Sequence, residues 1–129
     1  MRGDDLRQRT YEFALSTAKR LRPLFSDPFA RAIAHQLFRS AWSVAANYRV
    51  TKHARSSADF ASKMCLVAEE SEESAMWLEA LRDLSLLDSD VFEQLHGEAD
   101  AFIAIAVSSV NTARRNARKR GRSFLVKAP

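Results

Sequence analysis

Breakers of regular structure are scarce in this chain. Three glycines and three prolines are spread over 129 residues. Glycine and proline are the strongest local punctuators of a fold, so this scarcity leaves room for a few long elements only, and long helices follow. Hydrophobic residues make up 47% of the chain, enough for one core, and the length suits one domain.

Apolar residues recur at helical spacing in four segments. The first runs from about Asp4 to Leu24, with Leu6, Tyr11, Ala14, Leu15, Ala18, Leu21 and Phe25 as its inner face. Pro23 and Pro28 then interrupt, because proline lacks an N–H and disfavours helix in the residue before it. Asp27 is placed to cap the second helix, with Pro28 at its first position. That helix runs to about Thr51 on an inner face of Ala30, Ile33, Ala34, Leu37, Ala41, Val44, Ala45 and Tyr48. So many alanines predict a close neighbour.

Ser56 and Asp59 have the spacing of a capping box and open the third helix, about Ser57 to Leu84. Its Phe60, Met64, Val67, Ser71, Ser74, Leu78 and Leu81 alternate by four and three, a heptad seam. The fourth helix begins near Ser89 and reaches about Arg118, with Gly121 as its latest end. Val91, Leu95, Phe102, Ala106 and Val110 form its core face, with Phe92, Ile103 and Val107 alongside. Gly97 inside it costs about 1 kcal/mol against alanine, so either packing needs the missing side chain or the helix is weak there. The pattern predicts an all-α, up-down-up-down antiparallel four-helix bundle over residues 1–116 and a basic, flexible tail over 117–129.

Charge divides the same way. Residues 112–129 hold seven cations, Arg114, Arg115, Arg118, Lys119, Arg120, Arg122 and Lys127, and no acid. The other 13 cations share residues 1–111 with all 16 acids, which leaves that part at −3. A one-sided cation run points to nucleic-acid phosphates, with Arg114, Arg115, Arg118, Lys119, Arg120 and Arg122 as the candidate contacts. No window of 18 uncharged apolar residues exists, so no membrane span is expected. The opening MRGDDLRQRTYEF has no apolar run and Cys65 is the single cysteine, so a cytoplasmic setting is expected.

Reaction chemistry finds little support. Glu93-Gln94-Leu95-His96 has the E-x-x-H spacing, but a di-iron bundle needs a second copy and two further inward glutamates. Neither His35 nor His53 has an acid three residues before it. Cys65 lacks a placed base, and with three glycines there is no phosphate-cradling loop. No catalytic residue, metal, cofactor or small-molecule substrate is inferred, and the chain is not expected to be an enzyme.

A stripe on the second helix stands out instead. Gln36, Arg39, Ser40, Ser43 and Asn47 recur at intervals of three and four beside the apolar face. Covered groups of this kind need partners, and Glu70 and Glu73, flanking the third-helix seam, are the candidates for Arg39 and Asn47. The stripe and the two acids predict a structural polar network that sets bundle register. Trp42 and Trp77 stand outside the best core stripes and are candidates for an oligomer interface.

These residues carry a resemblance. Gln36-Leu37, Arg39-Ser40-Ala41, Ser43-Val44 and Ala46-Asn47-Tyr48-Arg49, followed by Ala54-Arg55-Ser56, Phe60 and Lys63, look like a family pattern. Glu70, Glu73, Trp77-Leu78-Glu79 and Leu81 continue it, and Glu98-Ala99 and Thr112-Ala113-Arg114-Arg115-Asn116 extend it more loosely. The pattern resembles a bacterial family of small four-helix-bundle proteins, named for relatives encoded within intervening sequences of 23S ribosomal RNA genes. Relatives often have an acid just after the Asn-Tyr-Arg run, where this chain has Val50. The resemblance implies a bundle that assembles as a ring, often a homopentamer, with no established enzyme activity.

The sequence therefore predicts a non-enzymatic bundle that binds copies of itself, and RNA or DNA through its tail. The alternatives are a protein–protein scaffold without a nucleic-acid role, or a metal protein using Glu70, Glu73, Glu93 and His96.

Overall fold

The computed structural model describes residues 3–127, with side chains over 5–121. It contains four helices: α1 (Gly3–Leu21), α2 (Arg31–Arg49), α3 (Ser57–Asp83) and α4 (Ser89–Lys127). Short 3₁₀ turns at Arg22–Ser26 and Val50–His53 join the first three. Consecutive helices are neighbours in space, and α1 closes against α4 to form an all-α four-helix bundle. No helix among the described residues is long and apolar enough to cross a membrane.

The turns follow local chemistry. The Asp27 carboxylate accepts the N–H groups of Phe29 (2.9 Å) and Ala30 (3.4 Å) and so holds the turn that leads into α2, which starts at Arg31 and not at Pro28 and has Ala30 as its N-cap. The Ser56 hydroxyl accepts the Asp59 N–H at 3.0 Å, and the Asp59 carboxylate accepts the Arg55 N–H at 2.9 Å. This is the capping box shifted back by one donor. At the far end of α3, Ser85 adopts φ 58°, and the Leu86 N–H reaches the Leu81 carbonyl at 2.8 Å. That is the Schellman ending, with serine where glycine is usual.

The core faces of α2 and α3 match the spacing argument, and Met64, Val67, Leu78 and Leu81 are fully enclosed. α1 is rotated from its expected phase. Its buried residues are Leu6, Thr10, Phe13, Ala14, Thr17 and Leu21, while Tyr11 lies 38% exposed and Leu15 and Ala18 only half-buried. Phe13 decides the phase by packing edge-on against Phe102 of α4, ring centroids 5.4 Å apart. Thr10 tolerates burial because its hydroxyl donates to the Arg7 carbonyl at 3.1 Å.

α4 also departs from expectation. It does not stop near Arg118 but continues through Gly121, which keeps a negative φ, to Lys127. Arginine, lysine and alanine are strong helix formers, and cations in the last turns complement the helix dipole. The side chains of Arg122 and Lys127, like residues 1–2 and 128–129, lie outside the described residues.

Gly97 is exposed, and a Cβ there would meet nothing within 4 Å. Packing does not require it. Gly97→Ala and Ser85→Gly should each raise stability by about 0.5–1 kcal/mol, the first through helix propensity and the second by relieving left-handed backbone. Urea unfolding of the two variants checks both.

Candidate functional site

The α2–α3 seam gathers the predicted polar residues selectively. The Arg39 guanidinium donates to Glu73 and lies 3.5 Å from Glu70, bridging two acids one turn apart on α3. The Trp77 indole N–H donates to the same Glu73 oxygen at 3.3 Å. Just inside, the Ser40 and Ser74 hydroxyls meet at 2.8 Å, fully buried, and Ser40 also reaches the Leu37 carbonyl at 3.2 Å. The rest of the stripe stays outside this contact. Asn47 donates to the Ser43 carbonyl of its own helix at 2.8 Å, not to an acid of α3. It stands eight residues from Arg39, roughly 12 Å along α2, beyond reach of Glu70 or Glu73. Gln36 is exposed, and neither it nor the Ser43 side chain bonds across helices among the described residues.

The two glutamates feel opposite fields. The hydrogen bond from Arg39 holds Glu73 below the usual carboxylate range, against the opposing effect of burial. Burial is the largest influence on Glu70 and pushes it up, opposed by Arg39. One guanidinium thus fully compensates only the nearer acid.

The E-x-x-H pair does not build a metal site. Glu93 is exposed, while His96 meets Glu79 through Nε2 (2.9 Å) and Asp100 through Nδ1 (3.4 Å). Those contacts use opposite ring nitrogens and cannot converge on one ion. Among the described residues no group of three His, Cys, Asp or Glu side chains is placed to hold a metal. Cys65 is half-buried, with an Arg114 nitrogen 3.8 Å from its sulfur.

The tryptophans separate. Trp77 packs on the core and joins the Glu73 network. Trp42 sits in an aromatic row across α1 and α2. Its ring is edge-on to Tyr11 at 5.6 Å and to Phe38 at 6.3 Å, and Phe38 is edge-on to Phe25 at 6.0 Å. The Trp42 indole N–H is buried without a hydrogen-bond partner among the described residues.

Arg114, Arg115, Arg118, Lys119 and Arg120 are exposed along α4. Arg120 differs from the others in facing an open cleft of about 640 Å³ between the turn before α3 and the later part of α4. Arg55, Ser57 and Phe60 form one wall and Thr112, Asn116 and Arg120 the other. Among the described residues no carboxylate lines it. The sequence pattern does not assemble this cleft, although several of its residues lie in the motifs that carry the family resemblance. Its walls lie more than fifty residues apart and are built of common surface types, so no local spacing marks them.

Residues 4–108 match the family model described as 23S rRNA-intervening sequence protein. No curated protein matches the chain. Among solved structures, the chain is similar to a protein of unknown function from the S23 ribosomal protein family of Bacteroides thetaiotaomicron. The likeness has a TM-score of 0.78 at 23% identity, over 86% of this chain and 99% of that one. At that identity it speaks for the fold.

Two outcomes test the seam. Ser74→Ala, which strips a hydrogen-bonded hydroxyl, should cost about 1 kcal/mol. Ser71→Ala, whose buried hydroxyl has no partner, should be neutral or stabilising by up to about 1 kcal/mol. Urea midpoints with unchanged slopes decide between them.

The acids should differ in sign with pH. The lowered Glu73 contributes stability above the ordinary carboxylate range and loses it as pH falls through its depressed value. The raised Glu70 does the reverse, since its ionised form costs the fold as pH rises. Glu73→Gln should therefore destabilise at neutral pH, with the gap closing in acid. Glu70→Gln should gain on the parent as pH rises through the raised value. Each effect should stay under about 1 kcal/mol, because both acids are partly solvated. Thermal unfolding across an acid-to-neutral series reads both.

Proposed function

The chain belongs to the 23S rRNA-intervening sequence protein family, and from that premise we propose that it is a non-enzymatic, self-assembling bundle that holds nucleic acid through the basic end of α4. One observation carries the reading. Seven cations and no acid occupy residues 112–127, on a helix of 39 residues packed against one of 27. At 1.5 Å per residue the longer helix outruns the shorter by roughly 18 Å. Five of these cations, Arg114 to Arg120, are exposed and point around the helix at several phases. Such an arrangement suits phosphates rather than base edges, so binding is sequence-tolerant and driven by counterion release.

Two unlike surfaces support self-assembly. Tyr11 and Phe38 are exposed beside Trp42 on α1 and α2, and Arg7 and Arg49 border Tyr11. On the opposite side, Met76 and Ile103 line a groove between α3 and α4 that is bordered by Glu72, Glu79 and Asp100. One patch is apolar with a basic edge, the other apolar with an acidic edge. Patches that differ in this way favour head-to-tail contacts, which close into rings, and the family resemblance favours five copies. A cytoplasmic setting suits the lone cysteine. A scaffold for another protein is the second reading, and the same aromatic row favours it.

Affinity for duplex DNA and for RNA, measured against salt, tests the first reading. Removing residues 117–129 deletes five cations. The log–log salt slope on duplex should flatten, by up to about 0.9 for each phosphate that is no longer neutralised. Light scattering should give a whole multiple of the monomer mass, and Met76→Lys should return the monomer. Equal binding by full and shortened chains at every salt concentration removes the α4 end from the function. A monomeric parent protein removes the ring.

A further inference from the structure

We propose that the cleft between the α3 entry turn and α4 is a binding site for the phosphate and base of a nucleotide. Of the cations at the basic end of α4 the site takes only Arg120, and it does not rest on that end binding nucleic acid.

Size comes first. A volume of about 640 Å³ falls within the usual range for small-ligand pockets. Charge comes next. Arg55 and Arg120 enter from different elements, and neither guanidinium has a carboxylate partner among the described residues. The one nearby acid, Asp59, is occupied: its oxygens accept the Arg55 N–H and the Lys63 ammonium, at 2.9 and 2.7 Å. Two guanidinium groups that line one cleft without a close ion pair, Arg55 interacting with Asp59 only through its field, favour a dianionic phosphate, which can take bidentate bonds from each.

The remaining lining suits the rest of a nucleotide. Ser57 opens α3, where the first N–H groups have no partner inside the helix and the dipole favours an anion. Ser109, Thr112 and Asn116 offer hydroxyl and amide groups on the α4 wall, enough to meet a ribose. The Phe60 ring is half-buried and gives a planar base a surface to stack on. The hydrogen bonds of the Ser56–Asp59 turn hold the Arg55 wall in place before any ligand arrives.

The experiment titrates the full chain with adenosine 5′-monophosphate, adenosine and inorganic phosphate by calorimetry. The nucleotide should bind at least tenfold more tightly than either fragment. Arg55→Gln, an exposed position on a surface turn, should weaken it about tenfold or more while leaving the circular dichroism unchanged. Phe60→Leu should reduce the advantage over inorganic phosphate. Equal binding of adenosine and its monophosphate, or no heat up to about 10 mM, overturns the proposal. So does an unchanged affinity in Arg55→Gln.

A short RNA with and without a 5′-phosphate then identifies the source of the nucleotide. A preference for the phosphorylated strand that disappears in Arg55→Gln assigns a strand end. Equal strand binding beside tight mononucleotide binding assigns a free nucleotide. Long duplex binding that survives Arg55→Gln but falls on removing residues 117–129 separates this site from the basic end of α4.

Discussion

The molecule depends on how near α2 and α3 come to one another. Ala34, Ala41 and Ala45 on one helix, and Ser71, Ser74 and Ala75 on the other, are buried with almost no side chain to hold the backbones apart. A hydroxyl on a one-carbon stem reaches its equal across helices only at close range, as the Ser40–Ser74 contact of 2.8 Å does. Small residues bring helices together without choosing where along their length. A slip of one turn, about 5.4 Å, would still set small against small. We propose that directional groups make the choice: Ser40 has one mate at the right height, and Arg39 spans two acids one turn apart. An exposed ion pair adds little stability, so on this proposal the value of Arg39 is to make other registers worse.

Register then reaches the far end of the bundle. The cleft exists because the turn that opens α3 lies level with Thr112 and Asn116 of α4. Moving α3 by one turn would carry Arg55 and Ser57 about 5 Å past Arg120 and change which residues of α4 share the cleft with them. A seam of serines and alanines in the interior thus positions a surface site built from other residues. Interior packing is steep enough in energy to transmit such a constraint.

What could be read in advance divides on physical lines. Strict four-three alternation leaves one phase for α3, and all seven seam residues are buried or half-buried. α1 offered two phases of similar apolarity. The expected face mixed them: Leu6, Ala14 and Leu21 are buried as expected, Tyr11 and Leu15 are not, and Phe13, packed on Phe102 of α4, takes their place. Thr10 and Thr17 hid the answer, because threonine in a core does not register as apolar. Of the predicted stripe, Arg39 and Ser40 meet α3 and Asn47 does not, since helical spacing states which side a residue faces but not what stands opposite. The cleft was illegible for the same reason: its two walls become neighbours only after α3 and α4 have packed.

The continuation of α4 matters most for the charge asymmetry. Sequence alone places seven cations beside a body of net −3, and a flexible tail of that composition would fold back onto its own acids. A helix prevents this. Ile103 lines the acidic groove at Glu72, Glu79 and Asp100, and Arg118 stands fifteen residues further on, roughly 22 Å along a stiff axis. That distance is about twice the screening length at roughly 0.1 M salt, so the acids of this groove scarcely feel the cations of the end, and Asp59, the acid beside the cleft, is already held by Lys63. Helix propensity beyond Ala113, where no core remains to be filled, therefore has an electrostatic consequence: it keeps the positive end unneutralised and available to a polyanion from outside.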